Sequence, residues 1–298
     1  MQGAKMVPRW IFRPFFLLTF TGITCNAFLT FVPRPDLYNQ IANKHLLSET
    51  QLGELINVPA SGVYRELVAK DCRAAYLNLR RRSGFYVIWP KDSPPMVVYC
   101  DLSYEGDGWT VLQRKLAHDN ASFWSRDWAE YKNGFGHLQG SHWLGNEMIY
   151  LLTRQNAFTV RFLLEDSQGN LHYADYSSFR VDSEANGYSL RLGEYFGSAG
   201  DALTLWDESG IHDNMMFSTK DRDNDRWDRN CANVLKGGWW FDNCRSALLN
   251  TDGEVYWDSI CNERNPCVAT GILIRPGRKN CSPIPLPGAG GYYPIHYS

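Results

Sequence analysis

Three aspartates alternate in the stretch Asp221-Arg-Asp223-Asn-Asp225-Arg-Trp227-Asp-Arg229-Asn-Cys231-Ala. In an irregular loop that spacing can turn several carboxylates toward one hard, oxygen-seeking cation such as calcium. An EF-hand is excluded, because Arg226 stands at its turn glycine and Ala232 at its closing bidentate glutamate. Arg222, Arg226 and Arg229 could instead neutralise the run, which makes a solvated acidic loop the competing reading. Cys244 follows Cys231 by thirteen residues. A bond between them would close a compact loop, worth about 3 kcal/mol by the chain-entropy model, and would reduce the ordering cost of binding an ion.

No enzyme is legible. The chain has no Gly-x-Ser-x-Gly elbow, phosphate loop, His-Glu-x-x-His or Gly-x-Gly-x-x-Gly. His137 and His142 are five apart and so do not share a helical face, and no Cys/His cluster has zinc spacing. Arg80-Arg81-Arg82 reads as a solvated loop, with sulfated glycans as its alternative ligand.

The elements that must carry these residues form a domain over residues 66–276. Phe158, Val160, Phe162 and Leu164 alternate with Thr159, Arg161 and Leu163 as a half-buried strand, and Tyr188, Leu190 and Leu192 repeat the pattern. Residues Gly108–Arg114 and Gly271–Arg275 are also extended. Asp127 caps a short helix that carries Trp128 and Tyr131 on one face and ends near Gly134. A second helix is expected from Ser141, with Leu144, Met148, Leu151 and Leu152 on one face. The pattern predicts an α+β domain of antiparallel sheets, few short helices and long loops. Its 11 Trp, 16 Tyr and 15 Phe serve first as core.

Composition sets the outer bounds. With 298 residues, 30 Lys+Arg against 32 Asp+Glu and 44% hydrophobic residues, the chain is neither a basic nucleic-acid binder nor a disordered polymer. Residues 1–27 read as a signal peptide: Lys5, Arg9 and Arg13 precede an apolar run from Phe15 to Val32, and Cys25 and Ala27 suit cleavage after Ala27. An uncleaved signal anchor is the alternative, since 18 residues is short for a span. Cleavage moves the formal charge from −2 to −5 and leaves no stable membrane insertion. Either way the domain lies outside the cytosol, where disulfides form. Residues 28–65 are a short linker, without the heptads of a coiled coil, and 277–298 a Pro/Gly-rich tail. Asn120-Ala-Ser and Asn280-Cys-Ser are glycosylation acceptors. Without Cys25 the mature chain has seven cysteines: Cys72, Cys100, Cys231, Cys244, Cys261, Cys267 and Cys281. An odd number points to a free thiol or to a bond between two chains.

Ordered phrases across residues 70–276 carry a family resemblance. They are Lys70-Asp-Cys72, Ser83-Gly-Phe-Tyr86, Val98-Tyr-Cys-Asp101, Gly108-Trp-Thr-Val111, Tyr131-Lys-Asn-Gly-Phe-Gly136, Trp143-Leu-Gly-Asn-Glu147, Gly200-Asp-Ala-Leu203, Phe217-Ser-Thr-Lys-Asp221 and Gly238-Trp-Trp-Phe241. The chain resembles the fibrinogen-related domains, the C-terminal globular modules of fibrinogen chains, ficolins, angiopoietins and fibrinogen-like proteins. The resemblance implies disulfides Cys72–Cys100 and Cys231–Cys244. It implies a calcium ion on the carboxylates of Asp223 and Asp225 and the carbonyls of Trp227 and Arg229, with Asp221 outside the ligand set. Affinity would be weak, about 10⁻⁴–10⁻³ M as in extracellular modules. A small residue usually stands where this chain has Arg229.

The family's ligand pocket would fall on Leu235, Asn243 and Arg245. An aromatic or an acid usually occupies the first of these places and a histidine the last. Leu235 offers no hydrogen bond and Arg245 repels an ammonium, so neither residue imitates the ancestral modes of binding an acetyl group or a peptide amino terminus. Arg245 would make a surface salt bridge or receive an anion through its planar fork. The segment from Asn250 to Ile274 is shorter than the family's. Within it Cys261 and Cys267 are close enough to pair, with Cys281 as the alternative partner of either or as an interchain link in a disulfide-bonded dimer. The expectation is therefore a secreted, non-enzymatic recognition protein with structural calcium and an extracellular protein ligand. A lectin-like protein for acetylated or anionic glycans is the alternative.

Overall fold

The computed structural model describes residues 68–78, 83–103, 107–117, 119, 122–205 and 210–277. The expectations for residues 1–27 and 28–65, for Arg80-Arg81-Arg82, Asn120, Asn280, Cys281 and the tail beyond 277 lie outside them.

The described residues open with helix α1 (Cys72–Asn78) and the strands β1 (Gly84–Ile88), β2 (Met96–Asp101) and β3 (Trp109–Lys115). Helix α2 (Trp128–Asn133) leads into two short strands, β4 (Phe135–Gly136) and β5 (His142–Trp143), and then helix α3 (Asn146–Thr153). Next come the long hairpin β6 (Phe158–Asp166) and β7 (Leu171–Val181), followed by β8 (Leu190–Leu192) and β9 (Tyr195–Gly197). A long irregular stretch then holds helix α4 (Cys231–Leu235) and the paired β10 (Ala247–Leu248) and β11 (Tyr256–Trp257), before β12 (Cys267–Pro276) returns to the main sheet.

That sheet runs β1-β2-β3-β12-β6-β7-β8, every pairing antiparallel. The last strand is threaded into its centre, between β3 and β6. The anticipated strand at Phe158 is therefore a central one, with neighbours on both sides, and Arg161 is buried rather than solvated. Its guanidinium meets Asp175 on β7 at 2.6 Å and lies over the Trp109 and Tyr173 rings, so the buried charge is both paired and stacked.

Asp127 caps α2 as its sequence suggests, accepting from the Glu130 N–H at 2.8 Å while Glu130 accepts from the Asp127 N–H at 3.1 Å. The second helix differs from expectation. It starts at Asn146, because His142 and Trp143 pair with Arg114 and Gln113 on β3 and the Leu144 N–H donates to Leu112. Gly145, at φ 114, then turns the chain in a conformation closed to other residues. Tyr188 likewise falls outside its expected strand, at φ 50, buried and stacked on Trp128.

The helices and the irregular stretch pack over the sheet around an aromatic cluster of Tyr131, Trp143, Phe217 and Trp240. Trp143 comes from the sheet and Phe217 and Trp240 from the irregular stretch, so the cluster joins the two. Among the described residues no helix is long and apolar enough to cross a membrane.

Candidate functional site

The acidic loop is built almost without secondary structure, so side chains must satisfy its backbone. Asp221 accepts from the Thr219 hydroxyl at 2.7 Å and from the Trp128 N–H at 2.9 Å, which fastens the start of the loop to the N-terminus of α2. Asn224 bonds back to Ser218 and Phe217, and Asn230 caps α4 while donating to the Thr219 carbonyl. These contacts bend the chain so that Asp223 and Asp225 come together: Asp223 accepts from the Asp225 N–H at 3.2 Å. Asp225 accepts from the Trp227 N–H at 3.0 Å and the Cys231 N–H at 2.9 Å.

Burial raises the Asp225 pKa to about 6; its two backbone N–H donors lower it, and the adjacent Asp223 raises it again. Asp225 is thus half-buried beside an exposed Asp223 on the same turn. Among the described residues, the carbonyls of Trp227 and Arg229 on the same turn receive no hydrogen bond from the protein. Carboxylate and carbonyl oxygens are the donor type that a hard divalent cation takes. Among the described residues no group of three or more His, Cys, Asp or Glu side chains gathers for a metal. Arg229 is not among the non-glycine residues with positive φ, so a large side chain is accommodated there without backbone strain.

The loop is tied to the next segment at two points. Cys231 and Cys244 are bonded, with Cα atoms 5.4 Å apart. Arg226 donates its N–H to the Asp242 carbonyl and brings its guanidinium to 3.3 Å from the Asp242 carboxylate. Asp242 is itself buried and accepts from the Ile211 N–H at 3.1 Å. Gly210 lies so close that a Cβ there would stand 2.9 Å from the carboxylate.

Beyond Cys244, the ring of His212 organises the chain. Its Nε2 accepts from the N–H groups of Ser246 and Ala247 at 3.1 and 3.0 Å, and Nδ1 meets the Trp240 carbonyl at 2.7 Å. That geometry assigns the neutral tautomer with its proton on Nδ1. Of the three expected pocket residues, Leu235 is half-buried against the core and gives its carbonyl to the Thr251 hydroxyl. Asn243 is exposed. Arg245 is half-buried, with its guanidinium carbon 4.6 Å from the centroid of the Tyr256 ring and no salt bridge among the described residues. The segment after Asn250 pairs its β11 with β10 and is stapled by Cys261–Cys267, while the Trp257 indole donates to the Ala199 carbonyl at 3.0 Å. The remaining bond, Cys72–Cys100, ties α1 to β2.

The family model described as "Fibrinogen beta and gamma chains, C-terminal globular domain" matches residues 68–273. The chain belongs to that family. Similar curated proteins include a fibrinogen-like protein 1-like protein of Gallus gallus, 49% identical over 66% of this chain and 69% of that one. Techylectin-5A of Tachypleus tridentatus is 38% identical over 68% of this chain and 74% of its own. Among solved structures, the fibrinogen-like globe of human ANGPTL2 superposes with a TM-score of 0.64 at 36% identity, covering 70% of this chain and all of that one. A lamprey fibrin D-dimer complexed with the peptide Gly-His-Arg-Pro-amide matches at 30% identity and a TM-score of 0.66, over 77% of this chain and 79% of that one. Members of the family are generally non-enzymatic recognition proteins.

Three residues that shape the domain's loop face have no local signature. Asp242 reads as one more acid, His212 as a lone histidine, and Tyr256 as one of many core aromatics. Each gains its role from a partner on a distant segment, and only the long-range pairing reveals it.

Proposed function

We propose that this is a secreted recognition protein whose fibrinogen-like domain docks an extracellular protein on the face formed by the acidic loop and the Asn243–Arg245 segment. A structural calcium ion holds that face. Asp223 and Asp225 supply its carboxylates, Trp227 and Arg229 its carbonyls, and the ion offsets the repulsion between two crowded acids. The observation that carries the reading is this pair of adjacent acids on a turn whose Trp227 and Arg229 carbonyls accept no hydrogen bond among the described residues. The apolar N-terminal segment and three disulfides in the folded domain support secretion. On the same reading residues 1–27 are removed, 66–276 form the binding module, Asn120 and Asn280 accept glycans, and Cys281 can link two chains.

A protein ligand is favoured over an acetylated glycan because Leu235 and Arg245 present neither an aromatic wall nor a histidine, and because the lamprey neighbour of the same fold holds a peptide. The test is thermal melting of the secreted chain with a chelator and with millimolar calcium. The midpoint is expected to rise with calcium, and the rise to disappear in Asp223→Asn/Asp225→Asn. An unmoved wild-type midpoint would remove the ion from the account. Calcium-dependent, acetate-competed binding on a glycan array would replace the protein partner with a sugar.

A further inference from the structure

Four arginines surround the site, and they differ in how their charge is used. Arg226 is paired with Asp242. Arg222 and Arg229 are exposed, their guanidinium carbons 4.0 and 5.6 Å from the ring centroids of Trp128 and Trp227. Arg245 alone of the four is half-buried, and among the described residues it makes no hydrogen bond and no ion pair. A partly desolvated cation without an anion is a cost that a folded domain ordinarily removes by pairing.

The backbone around Arg245 is held on both sides. Cys244 is fixed by its disulfide, in the left-handed region at φ 61. Ser246 is 1% exposed, donates its N–H to His212 and its hydroxyl to the Ala202 carbonyl, and accepts from the Asp258 N–H at 3.0 Å. Tyr256, anchored in the β10–β11 pair, supports the guanidinium plane. With its carbon over the ring, the guanidinium has an N–H edge that donates to no group among the described residues. That edge is the part that binds a carboxylate through two parallel hydrogen bonds.

We infer that Arg245 is a carboxylate-recognition residue. Its guanidinium, laid on Tyr256 and lacking an acid of its own, receives an Asp or Glu side chain from an acidic segment of a protein partner. The inference rests on the proposed docking face and specifies what that face reads. Asn243, exposed two residues earlier, also makes no hydrogen bond among the described residues and offers a second donor. The disulfide brings in α4, where Val234 is 53% exposed and Leu235 half-buried, an apolar border that suits the stems of a peptide. Asp258 sets the local background: its carboxylate accepts from the Tyr256 hydroxyl at 3.2 Å but forms no ion pair with Arg245.

The test uses the full secreted chain and a fluorescein-capped, C-terminally amidated tetraglutamate peptide, followed by anisotropy at low and moderate salt. Tetraglutamine and a heparin-derived tetrasaccharide serve as competitors. Arg245→Gln is expected to weaken the tetraglutamate complex at least fivefold. Arg245→Lys, which keeps the charge and loses the planar fork, should weaken it about twofold or more. Asp258→Asn should tighten it. Unaltered affinity in Arg245→Gln, or equal binding of tetraglutamine, would overturn the assignment. Displacement by the tetrasaccharide that itself requires Arg245 would overturn the choice of a peptide. If Arg245→Gln melts early, the lysine variant carries the comparison. Calcium stabilisation that persists in a chain indifferent to Arg245 would sink this inference and leave the docking face standing.

Discussion

The main sheet and the irregular stretch from Gly210 to Cys267 solve one problem in two ways. In the sheet, β12 lies between β3 and β6 and backbone groups satisfy one another along nine- and ten-residue strands. In the irregular stretch the strands are two residues long, and Asp221, Asn224, Asp225, Asn230, Asp242 and His212 satisfy the backbone instead. A ladder of backbone bonds tolerates most side chains at its surface. A loop held by side chains cannot lose them, so its sequence is committed to its shape, and the binding face inherits that rigidity. The two regions meet in the aromatic cluster, which is where the contrast is most easily broken.

Trp240→Ala should have the largest effect. The indole is fully buried, 6.0 Å from Trp143 and 5.3 Å from Phe217 between ring centroids, and donates to the Tyr188 carbonyl. Truncation should cost about 3–5 kcal/mol. Urea unfolding followed separately by fluorescence and far-ultraviolet dichroism should lose its coincidence if the cluster is what makes the two regions unfold as one. Coincident transitions in the variant would mean that the coupling runs elsewhere.

Cys231→Ser/Cys244→Ser should follow, at about 3 kcal/mol from a loop of this length. Hydrogen exchange should quicken across residues 217–250 and leave β3, β12 and β6 protected. Uniform loss of protection would erase the distinction between a self-sufficient sheet and a stapled loop. His212→Ala should rank next, at about 2–3 kcal/mol, because it orphans the buried N–H groups of Ser246 and Ala247. Its mark should be faster exchange at those two amides.

The same division explains what was legible from residues alone. Asp127 before Trp128 and the alternation from Phe158 to Leu164 are local patterns, and the helix and the strand lie where the local reading put them. The helix expected from Ser141 fails at its start, because Trp143 is claimed by Gln113 across the sheet, a partner that no helical period reveals. His212 and Ser246 are 34 residues apart, and Arg245 meets Tyr256 only because β10 and β11 pair. A loop that borrows its order from distant side chains hides its most informative residues from any window of sequence.

A smaller prediction sharpens the comparison within a single residue type. Asp166 closes the β6–β7 hairpin, accepting from the N–H groups of Gln168 and Asn170 and from the Asn170 amide. Burial alone would raise its pKa, but these donors outweigh it and bring the value to about 2. Asp225 also accepts two backbone N–H groups, yet burial and its acidic neighbour leave it at about 6. One carboxylate completes a turn; the other is crowded against a second acid. Because the folded value of Asp166 lies below the unfolded value of 3.8, its stabilisation is present above about pH 4 and disappears as pH falls through 2. Asp166→Asn should therefore lower stability at pH 7 by about 1 kcal/mol, the scale of one net hydrogen bond. The gap to wild type should close on approach to pH 2, as read from urea midpoints at pH 7, 4 and 2.5. A gap of constant size would show that the turn needs the shape of the side chain and not its charge, and the contrast with Asp225 would then be one of packing rather than electrostatics.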